Sequence, residues 1–316
     1  MNADFEIELG YPKTQCYRRD PRVEAINRRL SENLLWLCQP ADALIVNPPY
    51  TEALVLEARR RQVVLVSEDL VLGEEERVFT PWGWTANAIK LGERTGAIVK
   101  AVPLEIVKRV NSKLFSFKIE QELGVLMEGA ATASSFEELQ EVIRAGSQGS
   151  SDKKWVIKSH YGFAARDRVL GRGSVLDQAS EVWVKKKFEK GETLIFQPWL
   201  EVLREYGVTM EIGESGSLQI VGISDLQTNG AGTGVGYLLA RPIDNIRLGQ
   251  LKEMAEEVGR RVFAEGYFGP IGFDALEHTR GLHPLLEINA RYTMGFVALA
   301  VERELRPKEP LFWKIK

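Results

Sequence analysis

The chain has 316 residues, 44% hydrophobic and 27% charged, enough apolar material for two or three packed units with sizeable cores. A formal net charge of −3 excludes a globally basic nucleic-acid binder, and the runs Lys153-Lys154 and Lys185–Lys187 read as solvated surface. Two cysteines, Cys16 and Cys38, without CxxC spacing exclude a disulfide framework and a zinc knuckle, and no run approaches the roughly 18 apolar residues of a membrane span. The acidic N-terminus MNADFEIELG lacks the charged and apolar regions of a signal peptide, so a cytoplasmic location is expected.

Between Ala41 and Pro103, strand-like DALIV, QVVLV and AIVKAV alternate with helix-like TEALVLEARRR and TANAIKLGERT, the pattern of a small doubly wound unit. It is Rossmann-like in pattern only, because no GxGxxG follows any of these strands. A second unit starts near Ile106. NSKLFSFKIEQEL and SFEELQEVIRAG are predicted helices, the latter with a capping box formed by Ser135 and Glu138. After a GSQGSSDKK loop come the strand KWVIK, a turn-rich SHYGFAARDRVLGRGS, a helix near ASEVWVKKKFEKG, and strands TLIFQPW, VTMEIG and LQIVGIS. The glycine-rich NGAGTGVGY is predicted to be a mobile loop.

The segment from Gly272 to Gly295 carries the most chemistry. GFDALEH and HPLLEIN read as a hairpin around TRGL, and a turn centred between Arg280 and Gly281 sets Asp274 opposite Glu287. Glu287, Asn289 and, if the chain stays extended, Arg291 then share a face. Like charges facing across a ladder are destabilising unless a cation lies between them, and this oxygen-rich set suits magnesium or manganese.

In chain order the sequence offers Lys113, Lys158 at a strand end, a loop with glycines and arginines, the strand IFQPWLE, and then Asp274, Glu287, Asn289 and Arg291. This order resembles the ATP-grasp superfamily from about Lys113 to Gly295, with a pre-ATP-grasp domain before it. The resemblance implies an α/β and α+β architecture: a Rossmann-like pre-ATP-grasp domain over 1–105, a small lobe with a phosphate lid over 106–190, and a C-terminal lobe with the metal and substrate site over 191–316. It implies ATP and Mg2+ (or Mn2+) as cofactors. Lys113 and Lys158 would contact the α- and β-phosphates. The lid would run from Ser159 to Gly173, with Gly162, Gly171 and Gly173 supplying its backbone freedom. Gln197, Pro198, Trp199 and Leu200 would form the adenine hinge, and either Glu201 or Glu205 would hold the ribose. Asp274, Glu287 and Asn289 would hold the metal, and Arg291 would stabilise charge on the transferring phosphoryl group.

Two departures from the family pattern stand out. Gln197 occupies a position where glutamate is frequent, and AARDR replaces a glycine-richer lid, which shifts phosphate contacts toward Arg166 or Arg168. Arg241, with Tyr237 and the lid arginines, is a candidate grip on a substrate carboxylate, and a structural ion pair is the alternative for Arg241. His160 lies in the lid; His278 and His283 flank the hairpin turn and are expected at the surface. The implied activity joins a carboxylate to an amine through an acyl-phosphate with release of ADP and phosphate, acting on amino acids or small peptides. A kinase on the same fold and a non-catalytic nucleotide binder are the alternatives. The expected partners are small-molecule carboxylate and amine substrates, with no nucleic acid and no membrane; a homodimer through the N-terminal unit is compatible with the resemblance alone.

Overall fold

The computed structural model describes residues 2, 4–11, 17–71, 77–147, 150–161, 167–230 and 232–315, so Cys16, Gly162 and Arg166 lie outside the described residues. The N-terminal region runs through α1 (Phe5–Gly10), α2 (Pro21–Ser31), a 3-10 turn (Glu32–Trp36), β1 (Ala43–Ile45), α3 (Glu52–Arg60), β2 (Val64–Val66) and α4 (Ala86–Arg94). Asp20, Thr51 and Thr85 start α2, α3 and α4 in one way: each side chain accepts from a first-turn N–H that has no partner within the helix. β1 and β2 pair in parallel, and α3 buries Leu54 and Ala58 with Leu44, Val46 and Val63. The predicted AIVKAV strand does not form. Ile98 makes a single bridge to Val78; beyond it Val102 is buried in the central core and Pro103 has no N–H to offer a ladder.

Next come α5 (Leu104–Val110), α6 (Lys113–Glu122), β3 (Ala131–Ala133), α7 (Phe136–Ser147), β4 (Lys154–Lys158), β5 (Arg168–Arg172), α8 (Gln178–Glu189) and β6 (Leu194–Pro198). Ser135 caps α7 by accepting from Glu138 N at 3.1 Å, but the Glu138 carboxylate accepts from Ser134 N at 2.8 Å, one residue beyond the expected capping box. The strands form an antiparallel sheet in the order β3-β6-β4-β5. One face buries Trp155, Ile157, Leu194 and Phe196 with Leu139, Ile143 and Val184 of α7 and α8. By alternation, Val156, Lys158, Ile195 and Gln197 take the other face. The predicted lid is shorter than Ser159–Gly173, because Arg168–Arg172 pairs with β4 along its whole length. Gly171 serves packing rather than loop freedom: a Cβ there would stand 2.0 Å from the Trp155 ring. Gly173, at φ +70°, does use a conformation that favours glycine.

The remaining elements are β7 (Val202–Ile212), β8 (Leu218–Thr228), β9 (Gly234–Leu239), α9 (Asn245–Ala264), β10 (Gly269–His278), β11 (Gly281–Asn289), α10 (Met294–Leu305) and β12 (Leu311–Lys314). They build a six-stranded antiparallel sheet in the order β11-β10-β7-β8-β9-β12. Tyr206, Val208, Met210 and Ile212 alternate into a core shared with Leu251, Ala255, Val258 and Val262 of α9 and with Phe115 and Ile119 of α6. Neither α9 nor α10 is among the predicted elements. The glycine-rich segment expected as a mobile loop becomes β9 from Gly234 onward. At Gly236 a Cβ would stand 2.4 Å from the Trp313 carbonyl oxygen, so glycine there permits β12 to approach. No helix among the described residues is long and apolar enough to cross a membrane.

The β10–β11 hairpin has the expected Asp274–Glu287 pair but reaches it differently. His278 pairs with Gly281 across a two-residue Thr279–Arg280 turn, and this register persists to Leu276↔His283. A bulge then sets Ala275 against Pro284, Leu285 and Leu286, shifting the register so that Asp274 meets Glu287 and Gly272 meets Asn289. β11 is an edge strand, and α6 covers it. The outward N–H groups of Ile288 and Ala290 donate to Ser116 Oγ at 2.9 Å and Asn111 Oδ1 at 2.8 Å. Lys113, at the start of α6, is thereby carried by the large sheet rather than by the four-stranded one.

Candidate active site

Asp274 sits between Glu287 on β11 and Gly207 on β7, and Glu205 lies two residues before Gly207 on the same face. Burial, then Glu287 and Glu205, push the Asp274 carboxyl up to about 7. Glu287 moves the other way. Burial alone would raise it, but Lys113 and Lys158 outweigh that and hold it below its usual value. The Lys113 ammonium forms an ion pair with Glu287. Lys158 reaches the same carboxylate only through its field: burial pushes it down to about 8, and Glu287 opposes that fall.

Arg168 lies directly opposite Lys158 in the β4–β5 ladder and packs over the Trp199 ring at 5.8 Å. Burial lowers it, and the Glu287 field opposes the shift. Cations from α6, β4 and β5 thus meet carboxylates from β7, β10 and β11 across the gap between the two sheets. That arrangement suits a polyanion carrying a metal ion, since both signs of charge are gathered in one place.

Among the described residues, no three His, Cys, Asp or Glu side chains converge closely enough to hold a metal by themselves. Asp274 and Glu287 with the amide oxygen of Asn289 form a smaller set, which fits magnesium or manganese completed by water and phosphate oxygens. The observation that favours a cation is Asp274 itself, a half-buried carboxylate flanked by two others and without an ion pair among the described residues.

Arg291 is not held on an extended strand. β11 ends at Asn289, and Arg291 N donates to Asn289 O at 2.9 Å in a tight turn. Its guanidinium is tied to Glu6 of α1: Nε donates to Glu6 Oε1 at 2.8 Å, and Nη2 donates to the same oxygen. Nη2 also donates to Asn289 Oδ1 at 3.0 Å and Nη1 to Tyr292 O at 3.0 Å. Nothing in the sequence links residue 6 with residue 291, and Glu6 is absent from the predicted site.

A cavity of about 1350 Å3 lies at the hinge, lined among others by Pro198, Trp199, Leu200, Glu201, Glu205 and Arg241. Gln197 does not line it, being buried beside Val156. The carboxylate pair and the two lysines also lie outside it; Glu205 links the two places, since it lines the cavity and its charge is felt at Asp274. Glu201 is exposed at the rim, whereas half-buried Glu205 accepts from Thr228 Oγ1 at 2.7 Å. Arg241 adopts the ion-pair alternative, 3.3 Å from Asp225, a carboxylate that it shares with Arg204 at 2.7 Å. Tyr237 is buried against Trp313. His283 is not a surface residue: it is 5% exposed with Nε2 3.1 Å from Glu120 of α6, because α6 covers that edge of the hairpin. His160 contributes its backbone, accepting from Lys113 N at 3.0 Å.

No protein-family model and no curated protein sequence matches the chain. Solved structures do. A biotin carboxylase–β-γ-ATP complex from Campylobacter jejuni aligns at TM-score 0.58 and 14% identity, over 87% of this chain and 65% of that one. The biotin carboxylase domain dimer of Hydrogenobacter thermophilus 2-oxoglutarate carboxylase, with MgADP, ADP and bicarbonate, aligns at 0.55 and 12%, over 90% and 68%. N5-carboxyaminoimidazole synthetase from Staphylococcus aureus, complexed with ADP, aligns at 0.50 and 10%, over 92% and 77%. These are ATP-grasp proteins. The chain has the ATP-grasp fold. In ATP-grasp terms, an N-terminal domain precedes two lobes whose sheets are the four-stranded and six-stranded ones, with the charged groups described above in the gap between them.

Proposed function

We propose that the protein is an ATP-dependent ligase that joins a carboxylate to an amine through an acyl-phosphate, releasing ADP and phosphate, with amino acids or small peptides as substrates. The observation that carries this reading is the convergence of Lys113, Lys158 and Arg168 upon Asp274, Glu287 and Glu205 in an ATP-grasp fold. In this reading the hinge segment Pro198–Leu200 faces the base across the cavity and Glu205, rather than exposed Glu201, holds the ribose. Lys113, Lys158 and Arg168 neutralise the phosphates. Asp274, Glu287 and Asn289 would hold magnesium, which when bound supplies positive charge to the phosphate oxygens.

A carboxylate is a poor electrophile. Attack of its oxygen on the γ-phosphorus expels ADP and leaves a mixed anhydride; the amine then attacks the carbonyl carbon, losing a proton, and phosphate departs. The protein's part is alignment, charge neutralisation and exclusion of water from the anhydride.

The test is ADP release from magnesium-ATP with pooled amino acids, and separately with bicarbonate, in the presence of hydroxylamine. Hydroxamate together with ADP and free phosphate is the expected result. ADP without either would mean phosphoryl transfer to a hydroxyl and overturn the ligase reading. Glu287→Gln should lower magnesium-dependent turnover by about 100-fold or more while the melting temperature stays near that of the parent; full activity would remove Glu287 from the metal set.

A further inference from the structure

The N-terminal helix reaches into the site through one side chain. Glu6 is 7% exposed and lies against Arg291, and the residues around it anchor α1 firmly. Phe5 is fully buried, and the Arg291 guanidinium carbon stands 5.7 Å from its ring centre. Asn2 exchanges two hydrogen bonds with the backbone of Gly83 at 2.9 and 3.3 Å. Gly83 is itself confined: a Cβ there would stand 2.5 Å from the Phe5 ring and 3.1 Å from Arg291 Cβ. Fully buried Asp4 accepts from Tyr17, Arg19 and Asn27 at 2.8 to 3.0 Å. A segment held at so many points is a fixed part of the wall, not a detachable plug.

The donors of Arg291 can be counted. A guanidinium has five N–H groups. Glu6 takes those of Nε and one of Nη2, Asn289 takes the other of Nη2, and the Tyr292 carbonyl takes one of Nη1. Among the described residues a single Nη1 N–H is left for a ligand. The positive charge of Arg291 is also largely matched by the Glu6 carboxylate, so the group works as a directed donor and not as a free cation.

We propose that Glu6 is the positioning residue for Arg291: it fixes the guanidinium plane so that the remaining N–H meets the reacting group and the Asn289 amide is oriented with it. The bulk of the charge neutralisation then falls to Lys113, Lys158 and Arg168. This inference rests on the proposed ligase reading for its catalytic consequence, but the hold on Arg291 is a property of the protein alone.

Two measurements on the full chain separate these. In 15N-arginine spectra, with Arg291→Lys identifying the resonance, the Arg291 Nε–H should be slow to exchange in the parent, persist in Glu6→Gln, which keeps an acceptor, and vanish in Glu6→Ala. An unchanged Nε–H resonance in Glu6→Ala overturns the proposal whatever the enzyme does. In ADP release at saturating magnesium-ATP with the pooled amino acids, Glu6→Ala should lower kcat by about 10- to 100-fold with little change in KM for ATP, and Glu6→Gln should recover most of it. Equal loss in both variants, or none in Glu6→Ala, also overturns it. If the parent releases no ADP, the ligase reading fails while the exchange measurement still decides the role of Glu6.

Discussion

At the scale of single residues, the site is a set of ionisable groups displaced from their ordinary behaviour by burial and by one another. Glu211, further along β7 from Glu205, shows the same physics. Burial lifts it from 4.5 to about 7, and the Tyr292 hydroxyl, donating to it, only partly opposes the rise. The native protein therefore binds more protons than the unfolded chain between these two values. The contribution of Glu211 to stability is full below about 4.5 and lost as pH rises through about 7. Glu211→Gln should accordingly stabilise the protein above pH 7, by on the order of 1–3 kcal/mol, with the gain shrinking toward pH 5. Paired melting curves at pH 5 and pH 8 check this; a gain independent of pH would mean that the carboxylate is solvated.

At the scale of elements, the β10–β11 hairpin depends on a helix distant in sequence. β11 would otherwise be a free edge, and Ser116 of α6 together with Asn111, the residue after α5, closes it with two side-chain acceptors. The same packing brings Lys113 to Glu287 and Glu120 to His283. Asn111→Ala leaves the Ala290 N–H buried without a partner, which should cost about 1–3 kcal/mol. It should also loosen the turn that carries Arg291, so thermal melting and the Arg291 Nε–H exchange rate should change together. A lowered melting temperature with unchanged exchange would show that the edge contact is separate from the site. The β4–β5 ribbon is organised by packing too: Trp155 lies on Gly171 and its Nε1–H donates to Gly173 O at 2.7 Å, which is why the last part of a segment read as a loop is strand.

At the scale of the whole molecule, the N-terminal domain is fastened to the large lobe by buried side chains, by the Glu6–Arg291 pair and by ion pairs nearer the surface. Phe5 is buried in the central core, worth about 1.5–3 kcal/mol. Arg60 and Arg61 reach Glu304 at 2.5 and 2.6 Å, and Arg61 also lies 4.4 Å from the Trp36 ring centre. Ion pairs this open to solvent contribute little to stability, so they orient the domains more than they hold them. Between the two lobes, by contrast, Lys158 is half-buried near carboxylates and makes no ion pair among the described residues. Magnesium-ATP at about 100 times its Kd should stabilise the parent by about 2.7 kcal/mol. Lys158→Ala should lose most of that gain without lowering the melting temperature of the ligand-free protein. An undiminished ligand shift would take Lys158 out of the nucleotide site.

Local information alone determined a good part of this. Apolar periodicity marked β1, β2, β4 and β6 and the helices α3, α4, α6, α7 and α8, because a half-buried element repeats its apolar residues at its own period. Residue chemistry marked Lys113, Lys158, Asp274 and Glu287, which the fold does bring near one another. The facing of Asp274 and Glu287 was also legible, although the turn lies one residue earlier than read and a bulge at Pro284–Leu286 restores the register. Long-range packing decided the rest. The glycines at 171 and 236 are small because an indole ring and a carbonyl press on them from segments far along the chain. His283 is buried because α6 crosses the hairpin edge, and Arg241 is neutralised because Asp225 lies on a neighbouring strand. The partnership of Glu6 with Arg291 joins residues 285 positions apart, a separation that no local period can encode and that only the assembled core brings within hydrogen-bonding reach.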